Sequence, residues 1–251
     1  MTCDTCAVIA AGGKGLRFKN PHGKQYTPLL GHPLCFWALK ACLSAHSVGA
    51  CVIVCADEHA QEMRERVIDA LLCETGIAEI KQKAIYLASA KDTRQASVYA
   101  GLAKVPAHFR YVAIHDGARP LLMPKTLDAS LELLRSDPSL AGCICATPVT
   151  DTIKRCEDAH ACVPLIQETC DRSQLYAAQT PQSFVRTSII AAHEAALRDG
   201  FVGTDDASLC ERLGQRVALF PAPRDNMKVT LPEDLAVARA LLCARAQISK
   251  E

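Results

Sequence analysis

Apolar residues in this chain come in short continuous runs, and between the runs they recur at helical spacing. That alternation is expected of a parallel sheet covered by helices. The first run, Cys6-Ala7-Val8-Ile9-Ala10, is too short for a helix and apolar throughout, as a strand buried on both faces is. Pro33 then stands where a helix can begin, and Leu34, Trp37, Ala38, Ala41 and Cys42 follow at helical spacing, with Trp37 read as core. Residues 50–56 predict a second strand, with Asp57 placed to cap a helix running through Leu72. Residues 83–88 read as a third strand. A helix opens at 91–98, capped by Thr93 or Asp92, and continues through Ala103. Residues 111–114 predict a strand, 124–136 a helix and 140–149 another strand.

After residue 149 the rhythm breaks. Residues 150–155 and 164–172 flank a polar turn at 157–160 and read as a hairpin inserted into the α/β chain. Such a hairpin has unpaired edges and needs something to pair with. Residues 176–184 return to the sheet, 186–197 are helical, and 203–208 open a short helix with Thr204 or Asp205 as its cap. Residues 216–220 are the last strand, and Pro232-Glu233-Asp234 starts the closing helix. No repeat, low-complexity tract or linker divides the chain, so the reading is one domain over 1–251 with an arm at about 150–172.

Composition narrows the function. A chain of 251 residues can hold one large core. A net charge of +1 gives no broad basic field for nucleic acid, so a phosphate ligand must be held by local charges. The 14 cysteines suggest disulfides until their setting is considered: the chain is long, no basic n-region precedes an apolar stretch, and no apolar run reaches membrane length. Cys51, Cys55, Cys143 and Cys145 lie in apolar runs, where thiols act as small hydrophobes. The expectation is a reducing cytoplasm. Cys3-x-x-Cys6 has no second pair to complete a zinc site, which leaves a redox or metal role for the two open.

The chemistry gathers after the first strand. Ala11-Gly12-Gly13-Lys14-Gly15-Leu16-Arg17 is a glycine loop, followed by Gly23-Lys24-Gln25-Tyr26. Glycines let backbone amides approach anionic oxygens, and Lys14, Arg17 and Lys24 add positive charge. This is a candidate phosphate site at a first βα turn. It is not a Walker loop, because Gln25 follows Lys24 where Ser or Thr is needed. Nor is it a dinucleotide fingerprint, because Arg17 and Phe18 occupy the third-glycine region.

The loop resembles the signature of sugar-nucleotide and polyol-phosphate nucleotidyltransferases. Four further stretches are similar, in order and content, to the 2-C-methyl-D-erythritol 4-phosphate cytidylyltransferase family: Arg94-Gln95-Ala96-Ser97-Val98, His115-Asp116-Gly117-Ala118-Arg119-Pro120, Gln179-Thr180-Pro181-Gln182 and Asp225-Asn226-Met227-Lys228-Val229-Thr230. The resemblance covers nearly the whole chain. It implies an α/β fold, a Rossmann-like three-layer sandwich with a mainly parallel sheet and a protruding β-hairpin arm. It also implies Mg²⁺-assisted transfer of CMP from CTP to 2-C-methyl-D-erythritol 4-phosphate, in which an acceptor phosphate oxygen attacks the α-phosphorus and pyrophosphate leaves. By the same resemblance Arg17 and Lys24 grip the triphosphate and Lys228 stabilises the α-phosphate in the transition state. Ala10, Ala11, Gly12, Gly13, Lys14, Gly15, Lys91, Asp92 and Ser97 are expected to bind CTP. Asp116, Arg119, Thr152, Arg172 and Thr180 are expected to bind the acceptor, Thr152 and Arg172 reaching it across a homodimer built on the arm. Mg²⁺ is expected chiefly on triphosphate oxygens, with no protein ligand set.

The sequence departs from the family pattern at a few positions. Lys91 stands where glycine is usual, so its amide can face the base only if its side chain points away. Gly23 replaces a frequent proline, Gly117 an alanine and Phe18 a methionine; no charged group is lost. Related ribitol-5-phosphate cytidylyltransferases share most of these motifs. A non-catalytic nucleotide-binding module is disfavoured by the retention of Arg17, Lys24, Arg172 and Lys228, and a nicotinamide dehydrogenase by the failed fingerprint. His115 reads as a satisfied structural histidine rather than a base.

Overall fold

A computed structural model describes residues 3–13, 18, 23–74, 78–158 and 160–248. Seven strands form one sheet: β1 (Thr5–Ala10), β2 (Val48–Cys55), β3 (Ala84–Ser89), β4 (Tyr111–Asp116), β5 (Leu140–Pro148), β6 (Tyr176–Val185) and β7 (Arg216–Pro221). Their order is β7-β5-β6-β4-β1-β2-β3, and β6 alone runs antiparallel to its neighbours. The chain leaves β1 towards β2 and later returns on the other side as β4. The crevice beyond the carboxyl ends of β1 and β4, where Ala10 pairs with Asp116, is therefore the topological switch point at which open α/β sheets bind ligands.

Alternation along the central strands explains the three layers. On β1, Ala7 and Ile9 face one core and Cys6 and Val8 the other. The first core is covered by α1 (Leu34–Ser44), by α3 (Pro124–Ser136) and by a helical stretch whose α-helical ends, Ala60–Met63 and Ala70–Leu72, are joined by a π-helical segment, Arg64–Asp69. The second is covered by α2 (Arg94–Leu102), α4 (Arg186–Arg198) and α5 (Ala207–Arg212). Helix α1 is apolar nearly all round because it is packed twice. Phe36, Leu39 and Cys42 meet the sheet side, while Leu34 and Trp37 meet the closing helix α6 (Asp234–Ile248).

Most expected elements are present within a residue or two. One cap is not. Asp57 lies inside a 3-10 turn, Asp57–His59, and makes no side-chain cap; the helix proper starts at Ala60. At the short helix α5, Asp205 does the capping work, its Oδ1 accepting from the Ser208 amide at 3.0 Å. The arm is a two-stranded ribbon, Lys154–Cys156 against Ile166–Thr169, with a longer connection than the sequence suggests. All 14 cysteines are free thiols. Cys6 is fully buried and its thiol is pushed up to about 12 by desolvation, so it is not a nucleophile; Cys3 is exposed and donates to the His46 carbonyl. Among the described residues no group of three or more His, Cys, Asp or Glu could hold a metal, and no helix is long and apolar enough to cross a membrane.

Candidate active site

The floor of the crevice is built by two close approaches. The amide of Ala11 donates to Val54 O and that of Gly117 to Ala10 O, which carries the turns after β1 and β4 over the strand ends. Gly12 is needed for space rather than for unusual dihedrals: a Cβ there would lie 2.3 Å from the Cβ of Ala90. Neither Gly12 nor Gly13 has positive φ, and a Cβ on Gly13 would meet nothing within 4 Å. Lys14, Gly15 and Arg17 lie outside the described residues. Lys24, in a 3-10 turn, donates to Val229 O at 3.0 Å and so joins the exit of the glycine loop to the segment that carries Lys228.

The turn expected against the base is shaped by Ser97. Its hydroxyl donates to Lys91 O at 3.1 Å and accepts the Lys91 amide at 2.8 Å, closing the turn onto the start of α2. That amide is therefore engaged within the chain, and the Lys91 and Asp92 side chains are exposed. Thr93 rather than Asp92 is the cap, accepting from Ala96 N at 3.0 Å. Gly101 allows α2 to lie close to the sheet, because a Cβ there would meet Val54 and Val8 at under 3 Å.

Asp116 is the centre of charge. Its carboxylate lies 2.7 Å from Lys228 Nζ, 3.5 Å from Arg94 Nε and 3.6 Å from Arg119 Nε. Burial works to raise its pKa, but Lys228, Arg94 and Arg119 together outweigh that and hold the carboxyl well below the usual range. Arg94 also reaches the buried Asp206 at 2.8 Å, and Asp206 in turn faces His193 Nε2 at 3.2 Å. Arg119 donates to Asn226 O at 2.7 Å, and Asn226 Nδ2 donates to Gln179 Oε1 and Thr180 O. A cavity of about 170 Å³ is lined by Arg94, Asp116, Arg119, Thr180, Asp205 and Lys228, among others.

Beneath the cavity lies His115, with no exposed surface. The Thr180 hydroxyl accepts the Asp116 amide and stands 3.0 Å from His115 Nδ1, while His115 Nε2 stands 3.1 Å from Arg119 O. A carbonyl only accepts, so Nε2 carries the proton and Nδ1 accepts from Thr180. Burial lowers the imidazole pKa to about 4, so this histidine is neutral and structural, as the sequence suggests.

The structure thus brings Asp116, Arg119, Thr180 and Lys228 together on one cavity, while Lys24 is tied to the adjoining segment through Val229 O and does not line it. Thr152 and Arg172 stand at the foot of the arm, where Arg172 donates to Thr150 O; neither lines the cavity of this chain. Sequence reasoning passed over Arg94, Gln182 and Asp206. Arg94 sat inside a recognised motif. Asp206 follows the two cap candidates, Thr204 and Asp205, and carries no signal of its own. Gln182 reveals itself only in space: it donates to Asp205 and accepts the amides of Asp206 and Ala207, fixing that loop on the cavity wall.

The whole-chain comparisons agree with this geometry. The family described as IspD, 2-C-methyl-D-erythritol 4-phosphate cytidylyltransferase, matches residues 5–244. A protein of that name from Synechococcus sp. (strain CC9902) is 41% identical over 238 residues, covering 95% of this chain and 97% of the relative. One from Caldanaerobacter subterraneus subsp. tengcongensis is 34% identical over 236 residues, covering 94% and 97%. The crystal structure of a 4-diphosphocytidyl-2C-methyl-D-erythritol synthase from Anaerococcus prevotii superposes with a TM-score of 0.78 at 26% identity, covering 95% of both chains.

Proposed function

The chain belongs to the 2-C-methyl-D-erythritol 4-phosphate cytidylyltransferase family, and on that premise we propose how its residues divide the reaction. The chain transfers CMP from CTP to 2-C-methyl-D-erythritol 4-phosphate in isoprenoid precursor synthesis, giving 4-diphosphocytidyl-2-C-methyl-D-erythritol and pyrophosphate. An oxygen of the acceptor phosphate bonds to the α-phosphorus, the bond to the β-phosphate oxygen breaks, and pyrophosphate leaves with the electron pair. The nucleophile is already an anion, so no general base is required. What the protein must supply is approximation of two anions and fixed positive charge where charge shifts.

The observation that carries this division is Lys228 held 2.7 Å from Asp116 at the switch point. An ammonium has three donors, so Lys228 can keep Asp116 while presenting another N–H to an α-phosphate oxygen. Lys24 enters from the glycine-loop side, and Arg17 and Lys14 belong to the same grip on the triphosphate. Ala10, Ala11, Lys91, Asp92 and Ser97 form the cytidine side, and Gly12, Gly13 and Gly15 bring the loop amides to the triphosphate. Asp116, Arg119 and Thr180 hold the acceptor.

Mg²⁺ fits as an ion carried by the nucleotide rather than as a resident of a protein cage. The carboxylates that line the cavity already have partners: Asp116 faces cations, and Asp205 accepts from Gln182. Bound with the nucleotide, Mg²⁺ adds charge neutralisation on the triphosphate oxygens.

The arm supports a homodimer. Val163, Leu165 and Ile166 are 74%, 63% and 61% exposed on it, and a ribbon this short is marginal in water without packing. A second arm is the proposed cover, in a two-fold contact that brings Thr152 and Arg172 to the partner's acceptor pocket. The cysteines set in apolar runs and the substrates support a cytoplasmic location.

The test of the division is a pyrophosphate-release assay with CTP, UTP, ATP and GTP against 2-C-methyl-D-erythritol 4-phosphate and ribitol 5-phosphate. Strong preference for CTP with the first acceptor is expected, because a pocket built to hydrogen-bond one base leaves polar groups unpaired with another. Equal turnover of UTP and CTP would overturn the cytidine assignment.

A further inference from the structure

Between the end of β7 at Pro221 and the start of α6 at Asp234 the chain forms no helix or strand. Lys228 lies in this stretch, so its position depends on individual ties. Those from the sheet side are clear: Arg119 donates to Asn226 O, Val229 N donates to Ala118 O at 2.8 Å, and Lys24 donates to Val229 O. Another comes from outside the cavity. Arg245, on α6, donates through Nη1 to Leu121 O at 2.8 Å and through Nη2 to Asp225 Oδ2 at 2.6 Å. One guanidinium thereby joins the loop that follows Asp116 and Arg119 to the stretch that carries Lys228. Helix α6 is itself anchored by Ala238, Leu235, Leu241 and Leu242 against Leu34, Trp37, Leu121 and Val229. The family match ends at residue 244, so Arg245 lies beyond the matched region.

We infer that Arg245 is a positioning residue for the transfer: its fork holds Asp225 and the Leu121 carbonyl in one plane and so keeps Lys228 opposite Asp116. It does not line the cavity and acts through the two segments it joins. Two features make the tie hard to replace. The planar fork satisfies two acceptors at once, which a single ammonium does with difficulty. Asp225 also has its other oxygen, Oδ1, buried without a hydrogen-bond partner among the described residues. Without Arg245 that carboxylate loses its counter-charge and is drawn towards water, taking the approach to Lys228 with it.

The inference rests on the transferase reading. Its test is steady-state pyrophosphate release with CTP and 2-C-methyl-D-erythritol 4-phosphate for wild type, Arg245→Met, Arg245→Lys, Asp225→Asn and the double variant Arg245→Met/Asp225→Asn, with Tm for each. A misplacement of the order of an ångström costs up to about 100-fold, so Arg245→Met should lower kcat by about 10- to 100-fold. The KM for CTP should change by less than about threefold, since the loss falls on the transition state. Arg245→Lys should recover part of the rate, and the double variant should be no slower than the slower single variant. A kcat for Arg245→Met within about twofold of wild type, or losses that multiply in the double variant, would overturn the inference. If Arg245→Met does not fold, Asp225→Asn decides: a normal kcat there overturns it and a lowered kcat at unchanged Tm supports it. An unmodified chain with no turnover would instead count against the transferase reading.

Discussion

The buried imidazole of His115 gives this protein a pH-dependent stability that can be worked out in advance. Unfolded, the ring titrates near 6.5; folded, desolvation lowers it to about 4. Between those values the unfolded chain binds a proton that the folded chain refuses, so stability rises with pH across the window. The contribution is complete above pH 6.5, falls as pH drops below it, and is gone at the folded value. A difference of about 2.5 pKa units at 1.36 kcal/mol each makes the whole effect about 3 kcal/mol. Applying the same linkage from pH 7.5 to 5.5 gives a loss of about 1 kcal/mol from this group. Asp116 adds a term of the same sign at lower pH: its pKa is depressed, so its stabilisation is present above the unfolded carboxyl value and is lost as pH falls towards its folded one. Urea unfolding of wild type and His115→Gln across pH 7.5 to 5 separates the two groups. The variant should be less stable at pH 7.5, because it disturbs the Thr180 and Arg119 hydrogen bonds, and the gap should narrow by about 1 kcal/mol by pH 5.5. A gap that stays constant over this range would show that His115 does not titrate as a buried neutral ring, and the reasoning from its geometry would fail.

Two further expectations test the site. Lys24→Ala and Lys228→Ala should each lower kcat by about 100- to 1,000-fold, the usual cost of one well-placed electrostatic donor, with CTP binding by calorimetry much less affected. A near-normal kcat with only a raised KM would remove either residue from the catalytic role. The arm is tested by mixing Arg172→Ala chains with Lys228→Ala chains, each nearly inactive alone. Shared sites predict that activity returns towards about a quarter to a half of wild type, since a mixed dimer then holds one site with both groups intact. Mixed dimers that demonstrably form and stay inactive would assign Arg172 to its own chain's site.

Local chemistry made much of this protein legible before any coordinates. Short apolar runs could only be buried strands, as β1 and β4 are, and Pro124 followed by apolar residues at helical spacing marked α3 to the residue. The cations after the first strand pointed to Lys24 as a phosphate ligand, and the resemblance of the later motifs to a known family implied Asp116, Arg119 and Lys228. What the sequence left undecided was which of these groups face one another. Asp116 pairs with Lys228 across 112 positions of chain, and a Coulomb contact depends on distance in space, which the ties between the 222–233 stretch and the loop after β4 set and the linear order does not. The same holds for Arg94 with Asp206, for Gln182 as the buttress of the 205–207 loop, and for Gly12, whose missing side chain answers to Ala90 on the turn after β3, two strands away. Asp57 shows the limit from the other side: its residue type suits a cap, but a 3-10 turn shifts the helix start past it. Residue types and their periodicity determined the elements and the kind of chemistry, while the packing of those elements decided each partner, because desolvation and charge pairing exist only once the chain has folded.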